Sequence, residues 1–150
     1  MPSLAFTSAG STLSICTTNA PPATFDAAGF AAQTYVEVKE LTNIGVIGEV
    51  FALVTHEPVN SRETFKFKGN SNSGQLALQG ARAPTDAGQA KLILAVQDDL
   101  PYSFKLSLKQ GTVIYFQGQV MSYSTNVGSV NQITSFDTNV EVSGKFITVL

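Results

Sequence analysis

The chain has few of the residues from which chemistry is usually built: one histidine, one cysteine and no tryptophan in 150 residues. One histidine leaves no His-based metal cluster, and with one cysteine only a bare Cys/His pair. A Ser-His-Asp site would have to rest on His56, and no G-x-S-x-G elbow supports one. No catalytic, metal-ligating or cofactor-binding residue is therefore expected, and His56 reads as a surface or interface residue at a strand end. The lone Cys16 excludes an internal disulfide and fits as a small buried thiol in the strand-like stretch TLSICTT.

Charge is also scarce. Charged residues make up 13% of the chain, against roughly a quarter in an average soluble domain. Such a chain must cover its outside with Ser, Thr, Asn, Gln and Gly, or hide much of it against other copies. The net charge of −2 and the absence of any basic run argue against a nucleic-acid-binding surface, which needs clustered Lys and Arg. Lys66 and Lys68 alternate with Phe65 and Phe67, which puts both cations on one strand face and reads as a solvated surface. Long apolar runs are missing too: LILAV, from Leu92 to Val96, is far too short to cross a bilayer, so no membrane partner is expected. The opening MPSLAFTSAG has neither a basic region nor a long apolar one, so it is not read as a signal peptide, and folding in a cytoplasm is expected.

What is present is mostly strand. Hydrophobic residues make up 43%, enough for one core in one domain. Residues 1–34 read as a low-charge N-terminal arm with one short strand at Thr12 to Thr18 and a loop from Asn19 to Phe30; removing residues 1–20 is expected to leave a folded monomer that fails to polymerise. Residues 35–150 read as a single β-sandwich domain. TYVEVKEL and EVFALVTHE are expected to form a hairpin, and Thr64 to Lys68 and Gln75 to Gln79 a second one about the turn GNSNSG. That hexamer lacks the Lys and Ser/Thr of a phosphate loop and joins two strands. Tyr102 to Lys109 and Thr112 to Ser124 pair through the turn at Gln110 and Gly111. Gln132 to Val142 alternates, with Phe136, Val140 and Val142 inward and Ser135, Asp137, Asn139 and Glu141 outward.

One segment breaks the pattern. TDAGQAKLILAVQDDLP predicts a helix over about residues 86–98: Asp86 caps it, Gln89 completes a capping box, Ala90, Ile93, Leu94 and Val96 line a face, and Pro101 ends it. Asp98 and Asp99 then oppose the helix dipole, which calls for solvation or for a cation from a neighbour, with a catalytic dyad as the remaining option. The expected architecture is a mainly β fold, a sandwich or partly closed barrel of about eight or nine strands with this single helix covering an open end or edge.

The ordered succession of SAGSTLSI, PATFDAAGF, YVEVKELTNIG, VTHEPVNSRETFKFKGNSNSG, TDAGQAKLILA and GQVMSYSTNVGSVNQITSFDTNVEVSG resembles the tail tube (major tail) proteins of long-tailed bacteriophages, over nearly the whole chain. The resemblance implies a structural virion protein without an active site, assembled in the host cytoplasm as stacked hexameric rings around a tape-measure protein, with tail terminator and distal tail proteins as further partners. DNA would pass through the hollow tube without specific binding, so its wall should be acidic or polar. Ser135, Asp137, Asn139, Glu141 and Glu37 are the candidates for that wall, although Tyr35, Glu37 and Lys39 make a mixed face. Pro58, Asn60, Arg62, Asn70, Asn72, Phe25, Phe30, Asp98 and Asp99 are the candidates for stacking or subunit contact. Two alternatives stay open: a tube subunit of a contractile injection or type VI secretion apparatus, and a sugar-binding β-sandwich using Tyr102, Tyr115 or Tyr123.

Overall fold

The computed structural model describes residues 2–150, so Met1, the first residue of the expected arm, lies outside the described residues. Nine strands and two helices follow in the order β1 (Thr12–Cys16), α1 (Ala27–Ala31), β2 (Tyr35–Val38), β3 (Leu41–Asn43), β4 (Val50–His56), β5 (Phe65–Asn72), β6 (Gln75–Ala81), α2 (Ala87–Val96), β7 (Tyr102–Ser107), β8 (Val113–Asn126) and β9 (Ser135–Val149). Seven strands form one antiparallel sheet in the order β2-β1-β7-β8-β9-β6-β3, and β4 and β5 form a separate two-stranded ribbon. The mainly β class is as expected.

The two outermost strands of the sheet, β2 and β3, are separated in sequence only by Lys39 and Glu40. Three peptide units from Val38 to Leu41 reach at most about 11 Å, so the seven strands must curl until the two edges adjoin. The edges are not paired with each other, and the roll stays open as a barrel. Its corner is pinned instead. Glu40 takes the left-handed conformation at φ 62, its carbonyl accepts from Ala81 N–H at 2.9 Å, and Lys39 N–H donates to Asp86 at 3.0 Å. Gln89, fully buried, donates to the Lys39 and Ala81 carbonyls and accepts from Ala83 N–H, at 3.0, 2.9 and 2.9 Å. A buried amide is tolerated there because it is satisfied on three sides.

The inside of the roll is the core. Leu13 and Ile15 of β1, Leu76 and Leu78 of β6, Phe104 and Leu106 of β7, Phe116 and Val120 of β8 and Phe136 and Val140 of β9 face one another there. Helix α2 closes it with Leu92 and Ala95, resting on β1, β2 and β8. Its boundaries follow the capping signals: the Asp86 side chain accepts from Gln89 N–H at the start. The outside of the sheet at β2, the start of β8 and the later part of β9 is roofed by a second helix, α1, in a stretch whose sequence reads as loop. Asp26 caps it by accepting from Gly29 N–H at 2.8 Å. Phe30 stacks on Tyr115 with ring centres 5.6 Å apart, and the Tyr35 hydroxyl donates to the Phe30 carbonyl at 2.9 Å. Burial pushes the Tyr35 phenol up, with Cys16 and Tyr115 adding to the effect, so it stays a donor in this roof.

Three expectations are corrected by the pairing. Strand β1 is an inner strand between β2 and β7 and buries Leu13, Ile15 and Cys16, so residues 12–16 belong to the sheet; removing residues 1–20 would take Leu13 and Ile15 out of the core, and within the expected arm the unbroken exposed run is residues 2–10. Strand β2 pairs upstream with β1, while β4 pairs with β5, so TYVEVKEL and EVFALVTHE form no hairpin with each other. Gly69 to Asn72 are strand rather than turn, because they lie opposite Val50 to Ala52 in the ribbon; the reversal falls in the polar loop 57–64. The hairpin through Gln110 and Gly111, with Gly111 at φ 109, is as expected.

Two carboxyls tie down loops. Asp26 is held below the ordinary carboxylate value of 3.8 by the Gly29 N–H and then by the Thr24 hydroxyl. Asp98 is held below it by the Leu100 N–H and then by the Asn19 amide. A group with a lowered folded-state pKa favours the folded chain above its ordinary value, and that contribution disappears as pH falls through the lowered one. The thermal midpoint is therefore expected to fall below about pH 4, and the double variant Asp26→Asn, Asp98→Asn should fall less steeply over that range. A variant whose midpoint follows the wild-type curve throughout would show that these caps do not set the acid limb.

Candidate functional site: a cation-free polar face and an uncovered ribbon

Beyond the roof made by α1, the outside of the sheet is bare. Alternation puts every second residue of β6, β8 and β9 there, and register brings them side by side. Asp137 lies between Gln79 and Ser124, Asn139 between Ala77 and Ser122, and Glu141 between Gln75 and Gln119. Ser135 completes the row next to Ala81 and Asn126. Asn139 donates to the Ser122 hydroxyl at 3.1 Å, which fixes the amide in the surface. Over residues 135–141 and the facing parts of β6 and β8 there is no Lys or Arg. The first cation along β9 is Lys145, past Gly144 at φ 83.

Four of the five residues expected on a channel wall thus come together on one surface. Glu37 does not join them. It is exposed on the same side of the sheet, but on β2, with β1, β7 and β8 intervening and Lys105 of β7 sharing its Ser14 neighbour. Asp137 and Glu141, four residues apart on one strand, are separated by about 13 Å. That exceeds the screening length in physiological salt, so the two charges do not destabilise each other. The surface can present negative potential to a passing polyanion and offers it no donor cation. The neutral partners, Gln75, Gln79, Gln119 and Ser124, were not singled out from the sequence; the alternation of β6 was visible, but its pairing to β9 was not.

The second feature is the β4–β5 ribbon, whose residues are exposed on both faces. Cross-strand register assigns its faces: Val54, His56, Phe65 and Phe67 share one, and Leu53, Thr55, Lys66 and Lys68 share the other. Lys68 reaches over the Phe51 ring at 5.0 Å on the second face. An isolated two-stranded hairpin is marginal in water, and this one carries large apolar side chains into solvent, Phe67 at 58% exposure and Leu53 at 66%. Of the expected stacking residues, Pro58, Asn60 and Arg62 lie in the loop at its tip and Asn70 and Asn72 in β5 towards its base.

The remaining contact candidates are dispersed. Phe30 is fully buried within its own protomer and has no surface to offer a neighbour, whereas Phe25, packed edge-on against it at 5.1 Å, stays partly exposed. The Asp98 carboxylate accepts from Asn19 at 2.8 Å, from the Tyr102 hydroxyl at 3.1 Å and from Leu100 N–H at 3.1 Å, so it locks the loop after α2 from within. Asp99 is exposed. The three tyrosines of the sugar-binding alternative form no platform: Tyr102 and Tyr115 are buried, and Tyr123 stacks on Phe136. His56 sits exposed on the ribbon while Cys16 is buried in β1.

The chain is thus a curled antiparallel sheet closed by one helix, with a bare polar face and a projecting ribbon. No family model matches the chain, and no curated protein matches it in sequence. Solved structures do match. A chain of the sheath/tube terminator of the PVC extracellular contractile injection system, in its extended state, superposes with a TM-score of 0.72 at 10% identity, over 99% of each chain. A chain of the tail of the empty gene transfer agent particle, with C6 symmetry, gives 0.67 at 12% identity over 93% of this chain and 95% of that one. The SPP1 tail tube gives 0.62 at 12% identity over 92% and 75%. At such identities the likeness is one of fold, and it is a fold shared with chains of these phage-like tails and injection systems.

Proposed function

We propose that this chain is a structural subunit that polymerises with itself, as stacked hexameric rings, into the hollow tube of a phage-type tail, and that it is not an enzyme. The observation that carries this reading is the cation-free surface on β6, β8 and β9. A tube through which DNA travels must not hold phosphate, and a wall of amides, hydroxyls and two spaced carboxylates meets that requirement. Ser135, Asp137, Asn139 and Glu141 then line the bore. Ring stacking uses the ribbon, with Pro58, Asn60, Arg62, Asn70 and Asn72 among its contacts, and the exposed Phe25 and Asp99 are candidates for contact between subunits. A tape-measure protein inside the growing tube, terminator and distal tail proteins at its ends, and assembly in the host cytoplasm complete the proposal.

A second reading, a tube subunit of a contractile injection system, is supported by the TM-score of 0.72 to a chain of the PVC sheath/tube terminator, while the PVC sheath-tube complex, at 0.60, scores beside the SPP1 tail tube at 0.62. The two share an architecture and differ in whether a sheath assembles outside. Negative-stain microscopy of the purified chain at high concentration is expected to show hollow tubes or stacked rings of uniform width. A preparation that stays monomeric at every concentration, while binding an immobilised glycan, would replace the assembly reading with the sugar-binding one.

A further inference from the structure

The ribbon supplies one half of a contact, and the opposite end of the molecule supplies a surface suited to be the other half. Strands β8 and β9, of 14 and 15 residues, are the longest in the fold and pair along most of their length. At about 3.3 Å per residue they span about 45 Å. Strand β6 pairs with β9 from Gln75 opposite Glu141 to Ala81 opposite Ser135, so the chain before Gln75 leaves towards the C-terminal end of β9. The ribbon is rooted there: Glu49 accepts from Phe146 N–H at 3.3 Å and the Ser73 hydroxyl donates to the Gly144 carbonyl.

At the other end of the β8–β9 hairpin is the connection 127–134, which contains no charged residue. It presents Val127, Val130 and Ile133 to solvent at 68, 99 and 79% exposure. The loop is held in that shape. Gly128 takes φ 67, the Gln132 side chain accepts from Ser129 N–H and Gln132 N–H donates to the Ser129 carbonyl, both at 3.1 Å, and Arg82 N–H donates to the Thr134 carbonyl at 2.8 Å. Internal bonds thus keep three aliphatic side chains pointing away from the chain's own core, where collapse would otherwise bury them.

We infer that the apolar face of the ribbon, Val54, Phe65 and Phe67, docks on the Val127, Val130 and Ile133 loop of a second copy, joining molecules end to end along the β8–β9 axis. The inference rests on the assembly reading above and names the two surfaces that meet. One molecule carries two different uncovered apolar surfaces at opposite ends, which is the condition for a heterologous contact that continues without closing. The uncharged loop matches the ribbon face that lacks lysines, and the face with Lys66 and Lys68 remains in water. Burying Phe65 and Phe67 against three aliphatics supplies the anchor that the isolated ribbon lacks.

Val130→Asp tests this, because Val130 is almost wholly exposed and the change leaves the protomer's own packing alone. Val130→Asp and Ile133→Asp are each expected to raise the concentration needed for tube formation by about tenfold or more, with the thermal midpoint of the monomer unchanged. Lys66→Ser, on the other ribbon face, should assemble as wild type does. Mixing Phe67→Cys with Val130→Cys protein under oxidation should give a mixed disulfide dimer, with the native Cys16 buried. Wild-type tubes that persist unchanged in Val130→Asp, or a Phe67→Cys and Val130→Cys mixture that assembles without cross-linking, would overturn this contact and leave the tube reading standing. A wild-type chain that forms no polymer would remove both.

Discussion

Phe136→Ala is expected to cost about 3–5 kcal/mol of folding free energy, a large share of the roughly 5–15 kcal/mol that holds a domain of this size. Phe136 is fully buried and stacks on Tyr123 at 5.3 Å with the rings 9° from parallel. Tyr123 in turn lies under the Arg82 guanidinium, which donates to its hydroxyl at 3.1 Å. A side chain at Gly80 would meet Phe136 at 2.9 Å and the Glu40 carbonyl at 2.6 Å, so the ring fills space that only glycine leaves open. Truncation leaves a cavity that the rigid strands around it cannot close, and it loosens the strand whose other side carries Asp137 and Ser135. Urea unfolding followed by circular dichroism measures the change as a lower midpoint at constant slope. A loss below about 1 kcal/mol would show that the roll can collapse around the gap and that Phe136 does not hold it open.

In the proposed tube, Asp137→Lys with Glu141→Lys is expected to leave folding and assembly intact and to convert a wall that does not retain DNA into one that does. Both side chains are exposed and make no contact that the fold depends on. The exchange replaces two carboxylates by two ammonium groups on a surface with no other charge nearby. Wild-type tubes should not retain duplex DNA at about 0.15 M salt. The variant should bind it, with a dependence on salt that steepens by about 0.9 in log–log slope for each phosphate neutralised. Co-sedimentation of labelled DNA with assembled tubes over a salt series reads both quantities. Wild-type tubes that bind DNA as tightly as the variant would mean that this face does not line the path.

Legibility from sequence followed the range of the interactions. Helix α2 was readable because Asp86 and Gln89 act within a single turn, and the β7–β8 hairpin because Gln110 and Gly111 lie between its strands. The alternation of β9 separated Phe136 and Val140 from Asp137 and Glu141 without knowledge of any partner. Helix α1 was missed although Asp26 and Gly29 carried its cap, since five residues between prolines and a strand show no period. Strand partners failed where they are set by distant segments: β2 is four residues long and accepts β1 rather than the nearer β4, because Leu13 and Ile15 need covering. GNSNSG has the composition of a turn but is drawn straight by its ladder to β4. The polar face was legible on β9 alone; its extension through Gln75, Gln79 and Gln119 depended on register.

The β6–β9 ladder has a mechanical consequence, because the ribbon runs into β6 at Gln75 and the loop 127–134 runs into β9 at Ser135. A pull between the ribbon and that loop draws these two antiparallel strands in opposite directions, so their rungs, from Gln75 opposite Glu141 to Ala81 opposite Ser135, are sheared together and must yield in the same event. A peeling force at the short strands β2 or β3 would meet them one at a time. Each molecule in a filament joined along this direction would therefore resist stretching far better than sideways tearing.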